Sequence, residues 1–415
     1  MKNARLAAFE MLYAVMQNGA YSNLTVEGAL NDVIPKDKAL ASRLTYGVIE
    51  RRLTLDYLIN QYVSGRVKPK VRVILYLGAY QLYFMDKIPS SAAINESVNL
   101  AKSVGLTYYT KLINAVLHKI DDNRVDLSAL EDLEIKYSCP KHLINMWIKA
   151  YGSENTLNIL EAINNRPPVF AVPNPLYINA EECLYELNSA GIEGEVKEDV
   201  ITINSAFDLS KCKPFADGLF HIEDLSSYKC AKALGAKENE TVIDVCSAPG
   251  GKAFTIAEGM NNTGRVYAMD LYAQRTGLIE SGAKRLGLTN VTCLENDATL
   301  FNEKLPPADR VLCDVPCSGF GIIRRKPEIR YKDLDSVKEL CDIQYKILTV
   351  SSAYLKTGGR IIYSTCTLNK RENEKNVQRF LSENQGFELI EQKTFFPTAD
   401  GGDGFYYALM EKKYG

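Results

Sequence analysis

Thr241-Val242-Ile243-Asp244-Val245-Cys246-Ser247-Ala248-Pro249-Gly250-Gly251-Lys252 decides how this chain folds. Apolar, β-branched residues run into a block of small residues, two glycines and a lysine. That order predicts a buried strand, a tight turn and the start of a helix. Small residues let a backbone approach a ligand closely, and the glycines free the turn to take unusual φ and ψ. A helix beginning near Lys252 points its positive N-terminus at that ligand. The phosphate-loop spacing G-x-x-x-x-G-K-S/T is absent, which disfavours ATP or GTP.

Further strands are expected at 266–270, 291–294, 310–315 and 360–364, with helical stretches between most of them. Strand-helix alternation from about residue 226 predicts a mostly parallel, doubly wound α/β sheet. In such sheets ligands sit just past the carboxyl ends of the strands. Asp270 ends the second strand, about 20 residues past the glycine turn, and suits the hydroxyls of a ribose. Asp297 follows the third strand, where an adenine amine would lie. Each aspartate alone reads as a turn residue or helix cap. Together with the glycine turn they describe a nucleoside-binding crevice.

The fourth strand ends in Cys313-Asp314-Val315-Pro316-Cys317-Ser318-Gly319. The fifth is Arg360-Ile361-Ile362-Tyr363-Ser364-Thr365-Cys366-Thr367-Leu368, with Gly358-Gly359 before it as a turn signal. Alone, Cys366 reads as apolar core filler. If these two strands are neighbours, Asp314, Cys317 and Cys366 share one rim and the two thiols face one substrate. A disulfide is the structural alternative, disfavoured in a reducing compartment.

The chain has 415 residues, 46% of them hydrophobic and 24% charged, which predicts a multidomain globular protein. No apolar run is long enough to span a membrane, and Met1-Lys2-Asn3-Ala4-Arg5 does not open like a signal peptide. Ten cysteines without such a signal suggest reduced thiols and a cytoplasmic setting. There is no C-x-x-C pair and only three histidines, so no metal site is expected. A formal net charge of -2 gives no overall attraction to nucleic acid, so any basic face is local.

Residues 1–125 read as an all-helical bundle with short connections. Leu6, Phe9, Tyr13 and Met16 recur at helical spacing and Gly19 ends that run. Val73, Leu77, Tyr80 and Phe84 repeat it. Pro89 breaks the chain, Ser90 or Ser91 is placed to cap the next helix, and Ile94, Val98 and Ala101 share its face. Leu112, Val116 and Ile120 mark a last helix. Between Lys38 and Arg72 there are eight basic residues against two acidic ones, Glu50 and Asp56. That local excess suits a phosphate backbone, although a solvated face would look the same. Residues 126–225 read as a connecting α/β module, with strands at Val169–Val172 and Val200–Ile203 and a helix near Ala180–Leu187.

Several of these stretches carry a resemblance. Leu44-Thr45-Tyr46-Gly47-Val48, Leu77-Gly78-Ala79-Tyr80-Gln81-Leu82, Ala93-Ile94-Asn95-Glu96-Ser97-Val98 and Ile113-Asn114-Ala115-Val116-Leu117 resemble the RNA-binding NusB-like domain. The Ala-Pro-Gly-Gly-Lys loop, Asp-x-Pro-Cys-Ser-Gly and Ser-Thr-Cys-Thr resemble S-adenosylmethionine-dependent RNA cytosine-5 methyltransferases. The whole chain is similar to the bacterial 16S rRNA (cytosine-5)-methyltransferase B family, also called Fmu or Sun. Gly402-Asp403-Gly404-Phe405-Tyr406 looks like that family's final strand, and Glu223-Asp224 stands where the family has Gln-Asp. The resemblance implies a NusB-like bundle, a linking module and a Rossmann-like class I methyltransferase domain at 226–415.

It also implies a division of roles. Cys366 is the nucleophile that adds to C6 of cytosine, Cys317 assists loss of the C5 proton, and Asp314 hydrogen-bonds the base. Cys246, Ser247, Ala248, Pro249, Gly250, Gly251, Lys252, Asp270, Arg275, Asp297 and Asp314 are the implied cofactor residues. Arg324, Arg325 and Lys326 follow the catalytic loop and, with Arg43, Arg51 and Arg52, are candidate RNA contacts. The target base must leave its stack, so looped or single-stranded small-subunit RNA is the expected partner of a monomeric enzyme. A tRNA or DNA cytosine-5 methyltransferase and a catalytically inactive NusB-like assembly factor are the alternatives. The DNA enzymes use the Pro-Cys cysteine and would not need Cys366. The inactive reading does not explain why both cysteines, Asp314 and the glycine loop occur together.

Overall fold

The computed structural model describes residues 2–18, 28–205, 207–335, 337–399 and 401–414; the stop expected at Gly19 lies outside them. The chain forms two compact units, one of Met1–Thr156 with Ile323–Lys332, the other of Leu157–Ile322 with Asp333–Gly415.

The first unit is helical: α1 (Ala4–Asn18), α2 (Lys38–Glu50), α3 (Arg52–Asn60), α4 (Pro69–Phe84), α5 (Ser90–Ser103), α6 (Thr110–Asp122), α7 (Leu133–Tyr137) and the start of α8 (Lys141–Ala162). Every residue of α4 from Val73 to Leu82 is buried. A helix apolar all round must lie at the centre, and α1, α2, α3, α5 and α6 pack about it. On α6 the buried stripe is Ile113, Val116, Leu117 and Ile120. Leu112, expected on that face, is exposed, because it lies one position off the i, i+3, i+4, i+7 stripe. Ser90 does not cap α5; Pro89 holds the N-cap position, and the Ser90 hydroxyl donates to Asp121 instead, at 2.9 Å.

The helical unit runs on past Asp121-Asp122-Asn123. The Thr54 hydroxyl donates to the Ile135 carbonyl at 2.5 Å and the Leu53 N–H to the Ser138 hydroxyl at 3.0 Å, which docks α7 on α3. The same unit takes in Ile323–Lys332. Arg330, fully buried there, donates to the Glu50 and Ser138 carbonyls at 2.8 and 3.0 Å. The Tyr331 hydroxyl donates to the Ile49 carbonyl at 2.9 Å, and the Arg52 guanidinium lies 3.7 Å from the Tyr331 ring centre.

The second unit begins with a four-stranded antiparallel sheet in the order β2-β3-β1-β4, made of β1 (Val169–Pro173), β2 (Gly194–Lys197), β3 (Val200–Ile203) and β4 (Phe220–Ile222). Helix α9 (Ala180–Ser189) starts with a reciprocal Asn179–Glu182 capping box. After α10 (Lys213–Ala216) and α11 (Leu225–Ala233) comes a seven-stranded sheet in the order β10-β11-β9-β8-β5-β6-β7. Its parallel part is β5 (Thr241–Asp244), β6 (Arg265–Asp270), β7 (Val291–Glu295), β8 (Ala308–Asp314) and β9 (Leu355–Thr365). Helices α12 (Gly251–Gly259), α13 (Ala273–Arg285), α14 (Val337–Ser352) and α15 (Glu374–Glu383) alternate with the strands. Strands β10 (Phe387–Phe395) and β11 (Phe405–Lys412) pair antiparallel and close one side of the sheet against β9. The strand order reverses between β5 and β8, which opens a crevice at their carboxyl ends. Gly358-Gly359, read as a turn, lie inside β9 where its pairing with β8 shifts register. Among the described residues no helix is long and apolar enough to cross a membrane.

The small sheet is fastened to the large one through polar groups. Arg285 donates to the Phe215 and Phe220 carbonyls at 2.7 and 3.0 Å. His221 on β4 is buried between Glu223 and Glu258, 3.4 Å from each, and Thr255 donates to Glu223 at 2.7 Å. Burial opposes a charge on His221, but the two carboxylates outweigh it and raise its pKa from 6.5 to about 9. A raised folded pKa gives stability that is complete below pH 6.5 and is lost as pH climbs through about 9. Urea unfolding of His221→Asn is therefore expected to show a lower unfolding free energy at pH 6, by roughly 3 kcal/mol at most. Its stability should also be flatter than that of the wild type between pH 6.5 and 9. Parallel stability profiles for the two proteins would refute the charged triad.

Candidate active site

β8 and β9 are parallel neighbours, with Cys313 opposite Tyr363 and Asp314 opposite Ser364. Both chains therefore leave the sheet at the same level. The loop after β8 brings Cys317 to Cys366, and the two sulfurs lie 3.2 Å apart as free thiols. Asp314 stands beside them with both oxygens engaged. The Ser364 hydroxyl donates to Oδ1 at 2.8 Å, and Lys252 Nζ donates to Oδ2 at 2.9 Å. Burial works against the Lys252 charge, yet Asp314 and Glu223 hold its pKa well above the ordinary lysine value. It is a partly buried, paired cation rather than a surface charge. The Cys317 thiol is also held well above the usual range, by its hydrogen bond to Cys366 and by burial. Either thiol can donate across the 3.2 Å between the two sulfurs.

The glycine loop lies one strand away. Gly250 precedes α12 with φ 116°, and a Cβ there would come within 2.3 Å of the Phe254 ring. Arg275 bridges this loop to the end of β6, donating to the Ala248 carbonyl at 3.0 Å and to Asp270 at 3.1 Å. Asp297 accepts from the backbone and hydroxyl of Thr299 at 2.9 and 2.8 Å, the bonds of a turn-capping aspartate. Asp244, missing from the sequence-derived cofactor set although it begins the motif, is fully buried at the end of β5. Burial pushes its carboxyl up to about 7. Both of its oxygens, the Ser247 hydroxyl and the Asn296 amide nitrogen are buried without a hydrogen-bond partner. Native interiors seldom leave such atoms unpaired. Polar groups awaiting partners, beside a loop that excludes side chains, fit an amino acid and nucleoside ligand such as S-adenosylmethionine.

The candidate RNA residues are placed unevenly. Arg43 and Lys326 are exposed, while Arg324 is buried and Arg325 half-buried. Arg51 pairs with Glu50 at 3.2 Å and lies over the Phe84 ring, and Arg52 stacks on Tyr331. Exposed Arg66 and half-buried Arg72 line a cavity of about 360 Å³ with Tyr13 and Asn60. Lys68 and Lys70 nearby are exposed.

Known proteins share these features. Residues 231–411 match the 16S rRNA methyltransferase RsmB/F family model, residues 2–122 the NusB family, and residues 139–210 the ferredoxin-like domain of RsmF/B-like methyltransferases. The probable ribosomal RNA small subunit methyltransferase B of Bacillus subtilis (strain 168) is 34% identical over 446 residues, covering 99% of each chain. Ribosomal RNA small subunit methyltransferase B of Escherichia coli (strain K12) is 32% identical over 429 residues, again covering 99% of each. The crystal structure of PH0851 has a TM-score of 0.81 at 27% identity, with 99% of both chains covered. A Rossmann-like domain with this loop and rim, joined to a ferredoxin-like module and a NusB bundle, defines an S-adenosylmethionine-dependent RNA methyltransferase. The chain belongs to the ribosomal RNA small subunit methyltransferase B family.

The cofactor loop gives a direct test. Gly250→Ala forces an L side chain into φ 116° and into the Phe254 ring. S-adenosylmethionine binding by calorimetry should weaken about 100-fold, equivalent to ~3 kcal/mol of strain and displacement. Unchanged affinity would show that the loop does not hold the cofactor.

Proposed function

We propose that this protein methylates carbon 5 of a cytosine in small-subunit ribosomal RNA, through a covalent bond between the Cys366 sulfur and C6 of the base. The observation that carries this reading is the 3.2 Å approach of Cys317 and Cys366 on the rim that also holds Asp314. C5 of cytosine is a weak nucleophile. A thiolate added at C6 makes it an enamine-like carbon that can accept a methyl group. S-adenosylmethionine supplies that methyl as an electrophilic sulfonium.

The residues divide the remaining work. Cys366 ends the strand whose neighbour carries Asp314, so its sulfur and the carboxylate address one base. Cys366 attacks as its thiolate, a form favoured by a hydrogen bond from Cys317 across the 3.2 Å between the sulfurs. Asp314, fixed by Ser364 and Lys252, accepts a hydrogen bond from the exocyclic amine and so orients the base for attack at C6. After transfer, Cys317 assists removal of the C5 proton. The C5–C6 double bond re-forms and Cys366 leaves. The N-terminal bundle, residues 1–125, serves RNA binding on this reading, residues 126–225 connect, and 226–415 carry out catalysis. Exposed Arg43 and Lys326 are the better placed phosphate contacts.

Labelled S-adenosylmethionine, small-subunit RNA and nucleoside analysis test the proposal. Wild-type protein should yield 5-methylcytidine. Cys366→Ala should lose about 10³-fold or more of the rate. Cys317→Ala should accumulate a protein–RNA adduct that resists denaturing electrophoresis, and the double variant should not. Methylation that survives Cys366→Ala would sink the nucleophile assignment, and a methyl group on another atom would sink the reaction.

A further inference from the structure

A buried carboxylate lies between the two loops that carry the thiols. Glu372 is fully buried. It accepts four hydrogen bonds, as many as a carboxylate has lone-pair positions for. Oε2 accepts from the Ser318 backbone N–H at 2.8 Å and from Gln344 Nε2 at 2.9 Å. Oε1 accepts from the Ser318 hydroxyl at 2.5 Å and from Asn369 Nδ2 at 2.9 Å. Ser318 adjoins Cys317, and Asn369 lies three positions after Cys366. Gln344, from α14, also donates to the Pro316 carbonyl at 2.9 Å and so holds the Cys317 loop from its other side. Glu372 bonds through its backbone too, since the Tyr363 hydroxyl donates to its carbonyl at 2.5 Å.

The neighbouring asparagine completes the attachment. Asn373 accepts from the Thr365 hydroxyl at 2.6 Å and donates to the Thr367 carbonyl at 2.8 Å, the residues on either side of Cys366. Ser318 and Thr367 hydroxyls lie 2.7 Å apart, a direct link between the loops. Backbone groups also join the loops, the Gly321 N–H donating to the Cys366 carbonyl at 3.1 Å and the Phe320 N–H to the Thr367 hydroxyl at 3.2 Å, and Glu372 adds the buried side-chain link nearest Cys317. Burying a carboxylate is costly unless its oxygens are satisfied. A neutral side chain of the same size would not need these four donors, and could not accept from all of them.

We propose that Glu372 is a positioning residue for methyl transfer, which fixes the Cys317 loop against the Cys366 loop so that both thiols reach one base. This rests on the cytosine reading above, in that the thiols are taken as the reacting groups. The charge of Glu372 beside Cys317 also raises the pKa of that thiol, adding to its hydrogen bond with Cys366 and to burial. Glu372→Gln keeps the volume but turns one acceptor end into a donor, which then faces the Asn369 amide N–H at one end or the Ser318 backbone N–H and the Gln344 amide N–H at the other as donor against donor.

Two measurements on the full-length protein test this. In the first, kcat of Glu372→Gln on small-subunit RNA should fall about 100-fold, the effect of a displacement near 1 Å at a reacting group. KM for RNA and the affinity for S-adenosylmethionine should stay within about threefold, because neither binding surface includes Glu372. In the second, without RNA, a diazenedicarboxamide oxidant takes up two electrons and two protons from the Cys317 and Cys366 thiols as they join in a disulfide. Mass spectrometry should find that bond forming at least about tenfold more slowly in Glu372→Gln than in wild type. Glu372→Asp, which keeps the charge, should recover part of both losses. Should Glu372→Gln fail to fold, Asn369→Ala removes a single donor and should show the same kcat-specific loss at smaller size. Wild-type kcat and wild-type disulfide rate in Glu372→Gln, or in Asn369→Ala where the former is unfolded, would overturn the proposal. A wild type that methylates an atom other than C5, with thiol joining still slowed by Glu372→Gln, would overturn the cytosine reading and leave the clamp standing.

Discussion

Parallel pairing of β8 with β9, in register at Asp314 and Ser364, is the constraint from which the site follows. Strand ends at one level put two loops on one rim, and the loops put two sulfurs in contact. The same register lets Ser364 donate to Asp314. A slip of one residue would turn Asp314 and Ser364 to opposite faces of the sheet. It would also turn Ile361 and Tyr363, now fully buried, away from their core neighbours. Apolar burial along β9 therefore fixes the polar geometry at its end.

Charge is handled differently at the two sides of the crevice. Lys252 and Asp314 are brought together where both are partly buried, and each satisfies the other. Asp244 and Ser247 are buried with oxygens unpaired, an arrangement that suits a ligand able to supply the missing partners. Helix α12 links the two sides. Its first turn carries Lys252, and its later residues Thr255 and Glu258 pack against the small sheet through His221 and Glu223. The module that carries no catalytic residue is thus bonded to the helix that forms the cofactor loop. Glu223 is an acceptor for Thr255 and a partner for His221.

Much of the site was legible before any coordinates. The glycine loop, Asp270, Asp314, Cys317 and Cys366 lie where strand ends were expected, because alternating strands and helices leave few topologies and ligands collect at one edge. Arg275 was named as a cofactor residue; it ties Ala248 to Asp270 and so braces the loop. The basic count between Lys38 and Arg72 was less informative. Arg51, Arg52 and Arg72 are engaged with Glu50, Tyr331 and Asp56, and charge along a sequence cannot distinguish an internal partner from a phosphate. Leu112 and Ser90 fail for a related reason: one position on a helix decides face, and a hydroxyl takes the nearest good acceptor.

From sequence alone came the three-part organisation, the order of strands and helices and the glycine loop, which follow from periodicity, turn residues and spacing along one chain. Which thiol attacks is implied by the family resemblance and not by spacing. Only the tertiary structure decided which strands are neighbours, that Ile323–Lys332 belongs with the helical unit, and that Glu372 joins two loops 54 and 3 residues away through Ser318 and Asn369. Those are contacts between distant segments. They depend on the register and burial of elements whose partners no local pattern names.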